Sequence, residues 1–323
     1  MSVREESTQT VDDASEAAAP APFIVARGKV VRIDRLSPNF ARVSFSGPDL
    51  TGFGNPERIL DQRIKLIFPP ASGRLPDLSR PDGDWWAAFL AIPEAERGTM
   101  RTYSIRDLIV DGAETTVVVD FVMHLEPGLT GPASSWASGA CVGDELLLIG
   151  PRRGSHGGGG IEYQPGDART VVLAGDETAA PAIARILEEL PREAAGSAYI
   201  EVPSAADVLT IDAPEGITVR WVPREGLGHG ESLIPAVLAD MGMTVAPAVA
   251  DDGSEDLVWE TPLYSGSGEE LGAQVNHTDR YFWIAGESRV VTTLRRHLVK
   301  DLGIDRSQVA FMGYWRKGVA MRG

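Results

Sequence analysis

The chain has 323 residues, 43% of them hydrophobic, with a formal net charge of −16 and one cysteine, Cys141. This length allows two domains with separate cores. The acidic balance argues against nucleic acid and anionic membranes as partners, because basic surface normally binds them. A single cysteine excludes intrachain disulfides and four-cysteine zinc or iron–sulfur sites. The five histidines form no HxxxH pair, so we expect no built-in metal.

The N-terminus and the hydropathy of the chain indicate where the protein works. Residues 1–22 are acidic and polar without an apolar core, which is typical of a disordered tail and not of a signal peptide. No apolar run reaches the ~20 residues that a membrane helix needs. We therefore expect a cytoplasmic protein without a membrane span, and we expect it to be a monomer.

Residues 23–152 contain short apolar stretches separated by Gly, Pro and Asp. Six strands are predicted, at FIVARGKVVRIDRL, FARVSFSG, RIKLIFP, RTYSIR, TTVVVDFVMH and DELLLIG. Strands of this kind with little helix between them are typical of a closed antiparallel barrel. One short helix is predicted at 131–140, and the Gly-rich segment 153–169 is predicted to be the linker to a second domain.

From residue 170 to 323 the pattern changes to strands that alternate with helices. TVVLAG is an apolar strand ending in glycine, and the helix after it has apolar residues at i, i+3, i+4 and i+7. The same unit recurs at YFWIAG and RVVTTLRRHLVKDL. This alternation predicts a doubly wound parallel sheet. An acidic insertion at 242–280 is expected to be a surface loop of unknown role.

The stretch RTYSIR, residues 101–106, places two arginines, a tyrosine and two hydroxyls on one short strand. Side chains alternate along a strand, so Arg101, Tyr103 and Ile105 share one face. An exposed edge strand is one explanation. A strand that binds a flat, anionic cofactor is the other, since a flavin needs an aromatic ring, polar partners and a cation for its diphosphate.

Four further segments could contribute to such a site. DFVMH ends a neighbouring strand, and GPASSWA opens a short helix whose first N–H groups suit a diphosphate. LAGDETAAP and IAGESRVV place glycine where a strand meets a helix, at the sheet edge where nucleotides bind in open α/β sheets. Each segment alone is also consistent with an ordinary capped helix or turn.

Taken in order, these segments resemble the siderophore-interacting proteins, ferric-siderophore reductases within the ferredoxin-reductase-like flavoproteins. RTYSIR resembles the R-x-Y-[TS]-x-R flavin strand of that family, and AGDETAAPAIARILEELP matches its GDETA turn and helix. LIGPRRGS, AGE…LRRHL and the terminal GYWRKG follow in the family's order. The resemblance covers residues 23–319 and implies an FAD-binding barrel followed by an NAD(P)H-binding α/β domain.

The resemblance also implies roles for individual residues. Arg101 would pair with the FAD phosphates, Tyr103 would stack on the flavin, and Ser104 would reach its redox-active edge. His124 would touch the ring, and Thr178 would lie at the junction of nicotinamide and flavin, so Ser104 and Thr178 are the expected catalytic residues. The other expected cofactor contacts are Thr102, Asp120, Val122, Gly131, Ala133, Ser134, Asp176, Glu177, Gly286 and Glu287.

The sequence departs from the family pattern at two points. The segment LEPGLT between His124 and Gly131 is longer than expected, and Ser135 stands where a basic residue is common. A cation for an anionic ferric siderophore must then come from elsewhere. Lys65, Arg316 and Lys317 are the candidates, and each could equally be an ordinary surface cation.

The implied reaction is hydride transfer from NAD(P)H to FAD, followed by single-electron reduction of Fe(III) in a siderophore. Two alternatives stay open at this stage: a flavin reductase that serves a protein electron acceptor, and a siderophore carrier without enzymatic activity. The choice of NADH or NADPH is also open. Glu201 would suit the ribose hydroxyls of NADH, whereas Arg224 would suit the 2′-phosphate of NADPH.

Overall fold

The structure is a computed structural model, and it describes residues 21–78, 84–123, 130–155, 159–244, 249, 257–262, 264–265 and 279–319. Three sequence predictions fall wholly or mainly elsewhere. Almost all of the predicted tail, His124, and most of the predicted insertion at 242–280 lie outside the described residues.

The N-terminal part of the chain forms one antiparallel sheet of seven strands that curls into a barrel. The strands are β1 (Phe23–Arg35), β2 (Phe40–Ser46), β3 (Arg63–Phe68), β4 (Thr99–Ser104), β5 (Asp107–Asp111), β6 (Glu114–Val122) and β7 (Glu145–Pro151). Their order is β4-β3-β7-β1-β2-β6-β5, so the two edge strands follow one another in the chain. The predicted antiparallel FAD-domain barrel is confirmed as a curled sheet, but its described strands do not close it, because β4 and β5 are both edges.

The number of barrel strands is seven, and the prediction of six missed β5. DLIVD precedes the turn at Gly112, and β5 pairs with β6 from Asp107↔Val118 to Asp111↔Glu114. The sequence prediction assigned only RTYSIR to this region. The chain in fact bends after Ser104, because β4 pairs with β3 while β5 pairs with β6.

Three α-helices belong to the described part of this domain. They are α1 (Trp85–Ala91), α2 (Glu94–Arg97) and α3 (Pro132–Gly139). The first two lie between β3 and β4 and were not predicted, whereas α3 was. The ring of Trp136 on α3 lies 5.4 Å from Phe68 and 5.7 Å from Phe121 between centroids. Helix α3 therefore covers one end of the barrel core.

The C-terminal part forms a second seven-stranded sheet. Its strands are β8 (Thr170–Gly175), β9 (Ala195–Val202), β10 (Gly216–Pro223), β11 (Trp259–Thr261), β12 (Tyr264–Ser265), β13 (Arg280–Glu287) and β14 (Val309–Trp315), and its helices are α4 (Ala180–Glu189), α5 (Leu233–Asp240) and α6 (Ser288–Arg295). Strands β10-β9-β8-β13-β14 are parallel. One core contains α4, and the core on the other face contains α5 and α6. The predicted doubly wound sheet is confirmed.

The insertion at 242–280 is not only a loop. Its described part includes β11, which pairs antiparallel with β14 at Trp259↔Met312, and β12, which pairs with β11. Trp259 stacks on Tyr314 of β14 at a centroid distance of 6.2 Å. The insertion therefore extends the parallel sheet by an antiparallel hairpin.

The barrel and the α/β domain share a buried boundary. Phe40 of β2 and Val122 of β6 belong to the same core as Ala180 and Ile183 of α4. Nearby, the carboxylate of the fully buried Asp61 accepts a hydrogen bond of 3.0 Å from Nε1 of Trp283. Burial raises the pKa of Asp61. These contacts pack β2, β6 and the segment before β3 against α4 and β13 of the parallel sheet.

Candidate functional site

A slot in the barrel wall is the main feature of the site. Strands β4 and β6 are not paired with each other in the described structure. Strand β4 bonds only to β3, and the short β5 pairs with β6 only up to Val118. The slot is the gap between β4 and residues 119–122 of β6. The bend at Ile105–Arg106 forms its closed end, where Arg106 N–H donates to the Val118 carbonyl at 2.8 Å.

The main chain on both sides of the slot points into it. Ile105 N–H bonds to the carbonyl of Gln62, the residue just before β3, and hydrogen-bonding direction alternates along an antiparallel strand. The N–H and C=O groups of Thr102 and Ser104 therefore point away from β3, into the slot. By the same argument from the Met123 N–H bond to Asn39 O, those of Asp120 and Val122 enter the slot from the other side.

The side chains of β4 divide as the sequence predicts. Tyr103 faces the barrel interior, where its ring lies 4.7 Å from Phe121 between centroids. Arg101 lies on the same face, and its Nη1 donates to the Met100 carbonyl at 2.7 Å. Burial lowers the pKa of Arg101, and no carboxylate among the described residues pairs with it. A partly buried cation of this kind is stabilised by an anionic ligand.

The start of α3, beside the slot, offers a second place suited to an anionic group of a ligand. A Cβ added at Gly131 would meet no atom within 4 Å, so the space in front of the helix is open. The Ala133 N–H lies in the first helical turn, where such groups have no partner within the helix. Ser134 is placed differently from the expectation, because its hydroxyl donates to Val122 O at 3.0 Å. That bond fixes α3 to the end of the slot.

Two expected contacts reach the slot only through their main chain. The Asp120 carboxylate is buried and accepts bonds of 2.7 and 2.8 Å from Arg42. The Val122 side chain packs in the core shared with α4. Their side chains therefore pack at the boundary between the domains, and the expected cofactor contact of these two residues stays a prediction for their main chain.

The turn after β8 is held by a network centred on Asp176. One carboxylate oxygen accepts from the Thr178 N–H at 2.9 Å and from its hydroxyl at 2.5 Å. The other accepts from Glu287 N–H at 2.7 Å and from Nε1 of Trp315 at 2.8 Å. Burial, and then the neighbouring Glu177, raise the pKa of Asp176. Asp176 thus joins the ends of β8, β13 and β14, and it holds Thr178 in place.

Glu287 and Gly286 have structural contacts at the same edge. The Glu287 carboxylate caps α6 through the N–H groups of Arg289 and Val290. Gly286 has φ 138°, and a Cβ there would come within 2.7 Å of the Asp176 carboxylate. Glycine at 286 therefore lets the Asp176 carboxylate approach the backbone of β13.

Both candidates for choosing between NADH and NADPH are wrong. Arg224 is 7% exposed, and its guanidinium donates to both carboxylate oxygens of Glu177, at 2.6 and 2.8 Å. Glu201 is fully buried and accepts from the Gly230 and Leu233 N–H groups. Both side chains are therefore buried and paired, so neither is free to contact a ribose. The sequence shows the two charges but not their burial.

The Glu177 carboxylate is held ionised by its cationic neighbours. Burial alone would raise its pKa, but hydrogen bonds and charge from Arg224, together with His229, hold the pKa of Glu177 at about 2. His229 lies against the ring of Trp315, at 4.9 Å between centroids. Sequence analysis missed His229 and Trp315, and only the position of Trp315 within GYWRKG gave a signal for either.

The three candidate substrate cations have different environments. Lys65 lies on β3 opposite Thr102, and its Nζ donates to the Thr102 hydroxyl at 2.8 Å. Burial, and then Arg63, lower the pKa of Lys65. Arg316 is 3% exposed, so it is not the ordinary surface cation of the alternative interpretation, and its role as a substrate cation stays a prediction. Lys317 is exposed, and its N–H donates to Glu287 at 3.2 Å.

The geometry fits the cofactor that the resemblance implies. A slot edged by main-chain donors and acceptors, an aromatic ring beneath it, a half-buried arginine without a carboxylate partner among the described residues and an open helix start are the features that an FAD requires. In the other domain, the Asp176 turn lies at the carboxyl edge of the parallel sheet, where nucleotides bind in open α/β folds. No helix among the described residues is long and apolar enough to cross a membrane.

Comparisons with known proteins agree with this geometry. The model of a siderophore-interacting FAD-binding domain matches residues 29–155, and that of the siderophore-interacting protein matches residues 168–318. An uncharacterized protein of Mycobacterium tuberculosis is 34% identical over 90% of this chain and 89% of its own. Ferric vibriobactin reductase ViuB of Vibrio cholerae is 29% identical over 89% of this chain and 88% of its own.

Solved structures give the same result. A siderophore utilization protein from T. fusca has a TM-score of 0.66 and 28% identity, with 93% of this chain and 95% of that chain covered. The siderophore-interacting protein SipS from Aeromonas hydrophila has a TM-score of 0.64 and 25% identity, with 93% and 94% covered. This chain belongs to the siderophore-interacting protein family.

Proposed function

We propose that this protein is an FAD-dependent ferric-siderophore reductase that uses NADPH or NADH. The observation that carries the proposal is the slot between β4 and β6. Val122 at one side of the slot lies in the same buried cluster as Ala179 and Ala180, which directly follow the Asp176–Thr178 turn. The named activities of two relatives support it, ferric vibriobactin reductase ViuB and the NADPH-dependent ferric-chelate reductase of Escherichia coli, which is 28% identical over 88% of this chain.

The barrel slot and the carboxyl edge of the parallel sheet indicate which ligand each domain binds. We assign FAD to the barrel domain, residues 23–152, and the nicotinamide dinucleotide to the α/β domain, residues 170–323. The barrel residues would hold FAD, which would supply the exchange between two-electron oxidation of the dinucleotide and one-electron reduction of Fe(III). Siderophore oxygens hold Fe(III) more tightly than Fe(II), so reduction loosens the iron. We further propose that the protein acts as a monomer in the cytoplasm, where the dinucleotide is supplied.

Each part of the site has a physical task in this proposal. Arg101 and the first turn of α3 hold the diphosphate by charge and N–H groups. The main chain of Thr102 and Ser104 orients the polar edge of the ring, and Tyr103 supports its face. Thr178 is fixed by Asp176 where the nicotinamide would lie, while the packed domain boundary excludes water from the junction.

The test is anaerobic. Purified protein with bound FAD is mixed with NADH or NADPH, and the flavin absorbance is followed. Ferric siderophores of the catecholate and hydroxamate classes are then added together with an Fe(II) trap. We expect a dinucleotide to bleach the flavin absorbance. The ferric siderophore should then restore the absorbance, and Fe(II) should be trapped in proportion to the flavin that is reoxidised. Reduced flavin that is reoxidised only by a redox protein would favour a protein acceptor. Protein that binds the siderophore but neither FAD nor dinucleotide would indicate a carrier.

A prediction concerns the substrate cation. Lys65→Ala is expected to raise the KM for an anionic ferric siderophore about three- to tenfold, which is the usual range for losing one partly exposed charge contact. Reduction of the flavin by NAD(P)H should not change, because Lys65 lies on the barrel face near Thr102. Steady-state kinetics at limiting siderophore measures the effect. Lys29→Ala, an exposed lysine on β1, is the control, and an equal response of both variants would remove Lys65 from the site.

A further inference from the structure

We infer that Arg106 and Glu188 form a positioning pair that sets the distance between the slot and the Asp176–Thr178 turn, and thereby the rate of hydride transfer. The inference rests on the proposed function. Arg106 follows the flavin strand directly, at the closed end of the slot. Its guanidinium donates to both carboxylate oxygens of Glu188 on α4, at 2.7 and 2.5 Å. The pair therefore joins the two halves of the site.

The pair is nearly buried, and a second carboxylate supports it. The Arg106 side chain is 10% exposed and that of Glu188 is 20% exposed. Nε of Arg106 also lies 3.7 Å from Asp120, whose carboxylate holds Arg42. A two-bond arginine–carboxylate contact has a defined direction, so it fixes the orientation of α4 relative to the closed end of the slot.

Helix α4 transmits this contact to the reacting end of the α/β domain. The helix begins at Ala180, two residues after Thr178, and ends at Glu189. Ten helical residues span about 15 Å, with Thr178 near one end and Glu188 near the other. Because a short helix is stiff, a change at Glu188 tilts or shifts the turn that holds Thr178.

Two further contacts define the same attachment. Nη1 of Arg185 lies 3.0 Å from the Asp107 carboxylate, next to Arg106. The Glu189 carboxylate accepts from the N–H groups of Ile59 and Leu60, at 3.0 and 3.1 Å, just before β3. The last turns of α4 therefore contact the barrel at two places, the start of β5 and the segment just before β3. Loss of the Arg106–Glu188 bonds leaves these contacts in place, so the expected result is misalignment and not domain separation.

The size of the effect follows from the geometry that hydride transfer needs. Reacting atoms must approach to about 3–3.5 Å, and a misplacement of about 1 Å can cost as much as 100-fold in rate. We expect Glu188→Gln and Arg106→Lys to slow reduction of the flavin by NAD(P)H about tenfold. Electron transfer from reduced flavin to a ferric chelate does not use the turn, so it should stay within about twofold of wild type.

The experiment measures the two half-reactions separately on protein with bound FAD. Flavin reduction is followed by anaerobic stopped flow with the 4-deuterated and ordinary dinucleotide. Reoxidation by a ferric catecholate is followed after photochemical reduction. Both variants should retain FAD, show slower reduction with a larger isotope effect, and reoxidise normally. The double variant Arg106→Glu with Glu188→Arg should recover part of the rate.

The matched control is Asp212→Asn. Arg192 and Asp212 form a two-bond pair of 3.1 and 2.7 Å within the α/β domain, but both side chains are largely exposed, at 68% and 71%. This variant should reduce at the wild-type rate. Unchanged reduction in both test variants, equal slowing of both half-reactions, or loss of FAD from both would overturn the positioning role. Wild-type protein that is reduced but never reoxidised by ferric siderophores would contradict the proposed function alone, and the reduction rates would still decide the inference.

Discussion

Replacement of Arg224 by methionine is expected to lower the free energy of unfolding by about 3–5 kcal/mol at neutral pH, the usual cost of removing one partner of a buried ion pair. Methionine keeps much of the side-chain volume but none of the charge. Glu177, 0% exposed, loses both of its guanidinium bonds, and Glu201 loses a third contact at 3.3 Å. Two buried carboxylates are then left without their cation.

The pH dependence identifies the cause. The folded protein holds the pKa of Glu177 at about 2, against an ordinary value of 4.5. The folded state therefore binds fewer protons than the unfolded state between these values, and the contribution of Glu177 is present above pH 4.5 and lost as the pH falls towards 2. Without Arg224, burial raises the pKa instead. The destabilisation should then be largest at neutral pH and shrink on acidification.

Urea denaturation followed by tryptophan fluorescence, at several pH values between 4 and 8, measures this effect. Arg192→Met is the control, since Arg192 pairs with Asp212 at the surface, and its unfolding midpoint should match wild type. An Arg224→Met protein whose deficit does not change with pH would show that lost packing, and not the uncompensated carboxylates, causes the instability.

Replacement of Arg101 by alanine is expected to weaken FAD binding about 10- to 100-fold, because a hydrogen bond to a charged group contributes about 1.5–3 kcal/mol. The fold should survive, since the described contacts of the Arg101 guanidinium consist of one bond to the Met100 carbonyl. The ratio of visible to ultraviolet absorbance reports the FAD retained on purification, and titration of the apoprotein with FAD gives the dissociation constant.

The control for Arg101 is a second barrel arginine. Arg27 on β1 pairs with Glu145 at 3.0 Å, and the two side chains are 50% and 40% exposed. Arg27→Ala should keep full flavin content. Arg101→Ala protein that is as yellow as wild type and binds FAD equally tightly would remove Arg101 from the diphosphate site and leave the start of α3 as its proposed holder.

The local elements of the fold could be predicted because their signals are local. TVVLAG and VAFMGYW coincide with β8 and β14, since an apolar run between turn residues specifies a buried strand. Helix α3 begins at Pro132, as its Pro and Ser residues indicate. Strand β5 was missed because the bend at Ile105–Arg106 depends on two different pairing partners. No local pattern shows a strand changing from one partner to another.

The sequence proposes the residues of the candidate site, but it could not predict where their side chains point. The alternation of Asp120 and Val122 selects residues of β6 on one face, yet Asp120 turns its carboxylate to Arg42 and offers only its main chain to the slot. Glu201 and Arg224 have the charges that a dinucleotide would need, but they are buried with Glu177. A sequence shows that a side chain is charged but not which way it points, because tertiary packing sets that orientation.

By itself the sequence determined the two kinds of domain, the strands and helices with strong periodicity, and the family to which the motifs point. These depend on side-chain spacing and turn chemistry within short segments. Only the tertiary structure decided that β4 and β6 stay unpaired above the bend, that Asp176 joins three strand ends, and that Arg106 reaches Glu188 on α4. Each of these contacts joins residues far apart in the chain, and their partners are set by how the two sheets pack together.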